Sequence, residues 1–298
     1  MATDGQQEDV SESTRVLHDF TSGTIGGMLG VLVAHPLDTA KTRLQAMASF
    51  EGSSTSQVLR DTVRLEGARA LYRGMSFPIY SSALLNAIIF AVQGSIERAC
   101  VALLGSDRQA LSGFVGGCVA GFVQSPIVTA ADLVKCQRQV QSSAGSGGSA
   151  LMGPVAVMRQ RVSVLGVRQG CFQGFNACAI KESPSYGVYF LVYEEAKRRL
   201  DGRSWPAAAS ALMSGGLAGC TALAMVHPVD VVKSVVQALP TEAKPEERSA
   251  LHVAYNGLAK QGPSFFLRGF GAAMQRAFVL NAATFGGYEL VMHLLTKK

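Results

Sequence analysis

Apolar residues run along this chain in six long blocks, and three polar stretches of about 30 residues separate the two members of each pair. Residues 25–34, 83–92 and 188–192 carry no charge at all, whereas elsewhere the apolar runs are interrupted by Asp, Lys, Glu and Arg. The first block of each pair is rich in small residues four apart: Gly23/Gly27, Gly113/Gly117/Gly121 and Gly215/Gly219. That spacing lets helices approach closely inside a membrane. The pattern predicts three helix pairs. Each first helix ends in a charged segment, and each polar stretch holds a short amphipathic piece, such as 58–65, suited to a membrane surface. The Ser/Gly-rich run 142–149 predicts a flexible loop.

Searching the chain against itself strengthens the threefold plan. His35-Pro36-Leu37-Asp38-Thr39-Ala40-Lys41 overlays Thr129-Ala130-Ala131-Asp132-Leu133-Val134-Lys135 and His227-Pro228-Val229-Asp230-Val231-Val232-Lys233. A glutamine follows each Lys by four residues, at Gln45, Gln139 and Gln237. A second marker comes later in each unit and centres on Gly74, Gly174 and Gly269, each just after an aromatic or basic step. Two markers in constant order at one period divide the chain into an acidic tail, 1–15, and units 16–105, 106–203 and 204–298.

Composition agrees with a membrane protein: 48% of residues are hydrophobic, only 16% are charged, and Gly reaches 32. Charges at membrane depth are tolerated where they face a bundle interior or a water-filled cavity. The net charge of +6 does not indicate nucleic-acid binding, because the basic residues are dispersed and lack aromatic interleaving. Of the 27 Lys and Arg, 16 lie in the polar stretches 41–73, 135–173 and 233–268, which places those stretches together on the inner face. The first 13 residues carry Asp4, Glu8, Asp9 and Glu12 without a base, unlike a signal peptide or a cleavable mitochondrial presequence. Six Cys include no C-x-x-C pair, so no metal site is expected. Cys136, beside Lys135, is the thiol to suspect of reactivity. No phosphate loop, H-E-x-x-H or nucleophile elbow supports an enzyme, and no cofactor is implied.

Asp and Lys three apart share a helix face, and the Gln beyond them lies there too. A proline opens the hydrogen-bond ladder and kinks the helix end that bears them. Three such ends meeting at one mouth allow each Asp to pair with a neighbour's Lys, braced by Gln, in a ring that closes a pore and must break to open it. The alternative is three ordinary intrahelical pairs on solvated helices.

The run from His35 to Gln45, Glu66-Gly67 with Tyr72-Arg73-Gly74, and their echoes resemble the signature of the mitochondrial carrier family over nearly the whole chain. The resemblance implies an all-α membrane fold: six transmembrane helices in three pseudo-threefold repeats, with short matrix-side surface helices. It also implies a monomer, alternating access across the mitochondrial inner membrane, termini toward the intermembrane space, and lipid such as cardiolipin at the matrix-side helix ends. The matrix gate would be Asp38, Lys41, Asp132, Lys135, Asp230 and Lys233 with Gln45, Gln139 and Gln237. A weaker gate at the far ends of the second helices would use Glu97, Glu194, Lys197 and Glu289. Repeat 2 departs from the pattern: Ala130 stands at the proline position, with Pro126 one turn earlier, and Gly166-Val167 stands where an acidic-Gly pair is expected. Gln137 and Val235 replace the second basic residue of the motif.

Seven residues beyond the three marker glycines stand Ser81, Lys181 and Arg276, which are expected to face the cavity. The strings around Lys181-Glu182 and Arg276, and His35 before Pro36, look like the branch that carries carnitine and acylcarnitine or basic amino acids such as ornithine. An Arg fork holds a carboxylate, and Glu182 would hold an ammonium group of a zwitterionic or cationic substrate. Asn86 and Tyr189 complete the expected contacts, with Tyr186 a second aromatic candidate. The alternatives are another amino acid or carboxylate as substrate, or a membrane scaffold that no longer transports.

Overall fold

The computed structural model describes residues 4–105, 108–140, 153–201 and 207–296; the side chains of 4–20, 48, 76–84, 86, 87, 90, 104, 201, 207–209, 211, 212, 285, 289 and 296 lie outside the described set. The expected loop at 142–149 also lies outside it. Each repeat contributes two long helices and a short one between them. Repeat 1 has α1 (Asp4–Ala46), α2 (Thr55–Glu66) and α3 (Ser76–Leu104). Repeat 2 has α4 (Gln109–Val140), α5 (Pro154–Phe172) and α6 (Phe175–Asp201). Repeat 3 has α7 (Ala207–Ala238), α8 (Ala250–Gln261) and α9 (Phe270–Thr296). No strand occurs among the described residues. The acidic residues after Asp4 continue directly into α1.

The long helices close a ring in the order α1, α9, α7, α6, α4, α3. Its polarity is inverted relative to a water-soluble bundle. Arg43, His35, Gln45, Gln124, Gln139, Gln237 and His227 are buried, while Val33, Phe122, Ile180, Leu217 and Phe278 are exposed on the outside. Such an exterior suits hydrocarbon, where backbone groups must be satisfied within helices. Mean hydropathy reaches 1.5 in Gln109–Val140 and 1.3 in Met213–Ala238. The charges that interrupt the other apolar runs belong largely to the inward face.

Small residues do set the tightest helix approaches, but not all at the expected positions. A methyl group on Gly117 would stand 2.5 Å from the Tyr186 carbonyl oxygen, and one on Gly121 would stand 2.5 Å from that of Glu182. In α1 the close approach to α9 is made by Gly26 and Gly30, against Thr284, while Gly23 and Gly27 face open space. Gly219 is likewise open, and Gly215 meets only the Tyr189 hydroxyl. Residues one position apart differ by 100° around a helix, so spacing alone does not say which glycine of a cluster faces the neighbour. Gly117→Ala is expected to cost about 1–3 kcal/mol through overpacking. Gly27→Ala is expected to be neutral or slightly stabilising. Melting temperatures of the purified variants in detergent check this, and equal shifts would refute it.

The marker glycines have a backbone reason. Gly67, Gly166 and Gly262 end the short-helix segments with φ of 82°, 73° and 68°, and Gly74, Gly174 and Gly269 precede the second long helices with φ of 85°, 80° and 69°. This left-handed region is costly for residues with a Cβ. Repeat 2 therefore keeps its first glycine, as Gly166 inside the kinked α5, and loses only the acid, which Leu165 replaces. One extra residue separates Gly166 from Gly174. The second glycines also join the repeats: Gly74 packs on Lys135, Gly174 on Gln237, and Gly269 on Gln45.

Lost motif residues are replaced by other ways of filling the same space. In repeat 1, Arg43 of α1 bonds the Gln139 carbonyl at 3.1 Å, Thr62 at 3.1 Å and Glu66 at 2.6 Å. Glu66 also pairs with Arg73. In repeat 2 the Thr62 position holds Arg161, which is buried and donates to Gln173 at 2.5 Å and to the Leu239 carbonyl at 3.4 Å. Gln137, at the Arg43 position, donates to the Gln237 and Leu239 carbonyls at 2.6 and 2.9 Å. In repeat 3 the space is apolar: Val235 packs on Val231, Val232, Val236, Val253 and Phe265, and the Phe265 ring lies against Gly257.

Candidate functional site: a charged cavity floored by three ion pairs

The charged segments of α1, α4 and α7 converge. Lys135 pairs with Asp38 at 3.0 Å, Lys233 with Asp132 at 2.5 Å, and Lys41 with Asp230 at 2.5 Å. Every pair joins different helices, so the intrahelical alternative is ruled out by geometry. Pro36, Pro126 and Pro228 lie inside these helices, upstream of the pairs. The glutamines do not act alike. Gln45 donates to Asp230 at 3.3 Å and accepts from Ser234 at 2.8 Å. Gln139 accepts from Thr42 at 2.8 Å, and Gln237 donates to the Thr129 carbonyl at 3.4 Å. The last two tie helices together beneath the ring without touching its charges.

Above the ring opens a cavity of about 430 Å³, lined by Asp38, Asp132, Lys181, Glu182, Asp230 and Arg276 among others. Arg276 donates through Nε to Asp38, although no acid lies near it in sequence. Its partner, an aspartate of the ring, is therefore already present in the cavity. Lys181 pairs with Glu182 at 2.9 Å and also reaches Asp230 at 3.3 Å. Glu182 lies 3.8 Å from Lys233 and accepts from Gln124 at 3.4 Å. The candidate substrate contacts and the ring are thus one electrostatic network.

Two expected contacts are elsewhere. His35 is buried just behind the cavity lining: its Nε2 meets the Arg73 carbonyl at 3.2 Å, its ring stacks on Tyr72, and its Nδ1 stands 3.9 Å from Asp38. His227 makes the same bond to the Arg268 carbonyl at 3.1 Å, so both histidines tie their helices to the following turn. Tyr189 packs against Phe190 and Tyr193, and it is Tyr186 that lines the cavity. The side chains of Ser81 and Asn86 lie outside the described residues. Cys136 does not present a free thiol at the surface; it is buried with Sγ 3.8 Å from Gln237. Sequence reasoning missed Gln124, whose signal was its place eight residues before Asp132, on the same face of one helix.

At the far ends of the second helices the expected pairs are not made among the described residues. Glu97 accepts from Gln93 at 2.5 Å, and Lys197 lies over the Tyr193 ring at 5.8 Å. Glu194 packs against Gly113, and the Glu289 side chain lies outside the described residues.

The family model described as "Mitochondrial carrier protein" matches residues 12–101, 106–204 and 204–298. The mitochondrial basic amino acids transporter of Bos taurus is 34% identical over 283 residues, covering 92% of this chain and 91% of the relative. A mitochondrial carnitine/acylcarnitine carrier-like protein of Arabidopsis thaliana is 32% identical over 291 residues, covering 91% and 96%. Solute carrier family 25 member 45 of Mus musculus is 32% identical over 289 residues, covering 93% and 99%. Matched in all three of its repeats, with the long helices closed around a charged cavity, this chain belongs to the mitochondrial carrier family and is a solute transporter of a mitochondrial membrane, not an enzyme.

Proposed function

We propose that the protein exchanges a carboxylate-bearing, positively charged metabolite, a basic amino acid or a carnitine ester, across the mitochondrial inner membrane as a multi-pass monomer. The observation that carries this reading is the pairing of Arg276 with Asp38 directly above the Lys135–Asp38 bridge. A substrate carboxylate that takes the Arg276 fork with two parallel hydrogen bonds releases Asp38. A substrate cation at Glu182 competes with Lys181 and Lys233 in the same way. Binding thereby loosens the ring, which is the matrix gate in this reading, and exchange follows because an unloaded cavity has nothing to compensate the separated charges. The family resemblance and the relatives' printed substrates support the choice of ligand.

The far gate, Glu97, Glu194, Lys197 and Glu289, offers one cation to three acids. The resting protein is therefore open to the intermembrane space, with the matrix ring closed. Units 16–105, 106–203 and 204–298 act as the three repeats. Hollows beside the second-helix starts suit lipid headgroups such as cardiolipin. One, about 650 Å³, is lined by Gly174, Phe175, Arg168 and Arg248; another is lined by Thr55, Gly269 and Phe270.

Liposomes holding the purified protein and preloaded with lysine, arginine, ornithine or carnitine should take up the labelled compounds in exchange. Uptake only of adenine nucleotides or dicarboxylates would refute the assignment. Cysteines introduced in the cavity should react faster from the intermembrane-space side; preferential labelling from the matrix side would refute the resting state.

A further inference from the structure

The interfaces around the helix ring are not alike. The pairs α9–α1, α3–α4, α4–α6 and α6–α7 are extensive, whereas α1–α3 and α7–α9 meet sparsely among the described residues. Both sparse seams lie inside a repeat, repeat 1 and repeat 3. The matching seam of repeat 2, α4–α6, is closed.

The contrast holds at equivalent residues. Gly117 and Gly121 stand fifteen and eleven residues before Asp132, as Gly23 and Gly27 do before Asp38 and Gly215 and Gly219 before Asp230. A Cβ on Gly117 or Gly121 would stand 2.5 Å from the Tyr186 or Glu182 carbonyl oxygen of α6. Among the described residues, Gly23, Gly27 and Gly219 meet nothing within 4 Å, and Gly215 meets α6 rather than α9, at the Tyr189 hydroxyl. The repeat 2 seam is also bonded: Ser183 donates to the Cys118 carbonyl at 2.9 Å, and Gln124 donates to Glu182 at 3.4 Å. Sliding along it would set side chains against carbonyls that only a glycine admits.

The closed seams gather the helices into two groups. On its other side α4 offers Gly116, where a Cβ would stand 2.9 Å from the Gln93 carbonyl oxygen of α3, and Ile89, Ala120 and Phe190 form one core cluster across α3, α4 and α6. Lys181 ties α6 to Asp230 of α7 at 3.3 Å. Opposite them, Gly26 of α1 lies against the Thr284 backbone of α9, and Arg276 of α9 pairs with Asp38 of α1.

We propose that the transporter alternates as two unequal bodies, α9 with α1 against α3, α4, α6 and α7, parting at the seams of repeats 1 and 3 while repeat 2 moves as one piece. This rests on the exchange function above and departs from three repeats that move alike. Rigid bodies rocking about a few loose interfaces are an established form of switching. The ring divides accordingly. Lys135–Asp38 and Lys41–Asp230 join the two bodies and separate on opening, whereas Lys233–Asp132 lies within the larger body and persists.

The test links each seam in full-length protein in liposomes, at one equivalent place. Cys118, Thr24 and Gly216 each stand fourteen residues before the repeat's aspartate, and Ser183, Ala83 and Phe278 each stand nine after the marker glycine. The variants are Ser183→Cys, which uses the native Cys118, Thr24→Cys with Ala83→Cys, and Gly216→Cys with Phe278→Cys. A reducible bis-methanethiosulfonate linker long enough to span the seam joins each pair, peptide mass spectrometry confirms the link, and wild-type protein treated identically sets the baseline. Exchange should survive the link in repeat 2 and be lost with the link in repeat 1 or repeat 3, returning on reduction. Loss of exchange on linking repeat 2, or full exchange with repeat 1 or repeat 3 linked, would overturn the two-body motion alone. Untreated wild-type protein that exchanges no substrate overturns the function beneath it as well.

Discussion

Arg276→Ala abolishes measurable exchange of every carboxylate-bearing substrate, the largest effect expected of any single change in the cavity. Removing one partner of a desolvated charge pair costs about 2–5 kcal/mol, roughly thirtyfold to a few thousandfold in affinity. Here the loss acts twice, on the bound carboxylate and on Asp38, which keeps Lys135 at 3.0 Å and His35 at 3.9 Å. Arg276→Lys should rescue poorly, because a point charge cannot reproduce a planar two-bond fork. Glu182→Gln should weaken cationic substrates far more than neutral amino acids. Uptake by proteoliposomes across such a panel checks the pair of variants. Equal losses for cationic and neutral substrates would make Glu182 a structural partner of Lys181 and refute the orientation.

The largest stability effect is expected at Arg43, outside the cavity. Its guanidinium is buried and holds Glu66, whose side chain is buried as well. Arg43→Ala leaves Glu66 with Arg73 alone and vacates the space between α1 and α2, at a cost of about 3–5 kcal/mol. Burial pushes the Glu66 carboxyl up, but the Arg43 hydrogen bond and the charges of Arg43 and Arg73 outweigh it and hold the pKa below the ordinary glutamate value. A carboxyl depressed on folding stabilises at pH above its unfolded pKa and loses that contribution as pH falls through the folded value. The gap in melting temperature between wild type and Arg43→Ala should therefore be full at neutral pH and shrink in acid below the usual glutamate range. A gap that stays constant would show that packing, not charge, sets the cost.

What the sequence made legible was periodic and local. The Asp and Lys positions recur once per repeat, so their convergence could be argued before any coordinates, and the interhelical pairs follow the cyclic order that such recurrence requires. The marker glycines were legible as markers, and the structure supplies the left-handed turns that demand them. Rotation about helix axes was not legible. Gly26 rather than Gly27 meets α9, His35 faces the Tyr72 turn instead of the cavity, and Tyr186 rather than Tyr189 lines it. Partners distant in sequence were equally hidden. Arg276 and Asp38 lie at opposite ends of the chain, so nothing in the neighbourhood of either reveals the other. Repeat 2 read as having lost its glycine because one inserted residue shifts the alignment, and only the backbone at Gly166 restores it.

The three fillings of one equivalent space carry a consequence for temperature. The joint of repeat 1 is ionic, that of repeat 2 is a set of hydrogen bonds to carbonyls and an amide, and that of repeat 3 is apolar. Apolar contact weakens on cooling, whereas the desolvation cost of an ion pair falls on warming. A body built on threefold symmetry thus has three hinges that stiffen and soften on different schedules. Cooling therefore weakens the joint of repeat 3 relative to the other two, and heating strengthens that of repeat 1 relative to them. The symmetry of the backbone is not a symmetry of its mechanics.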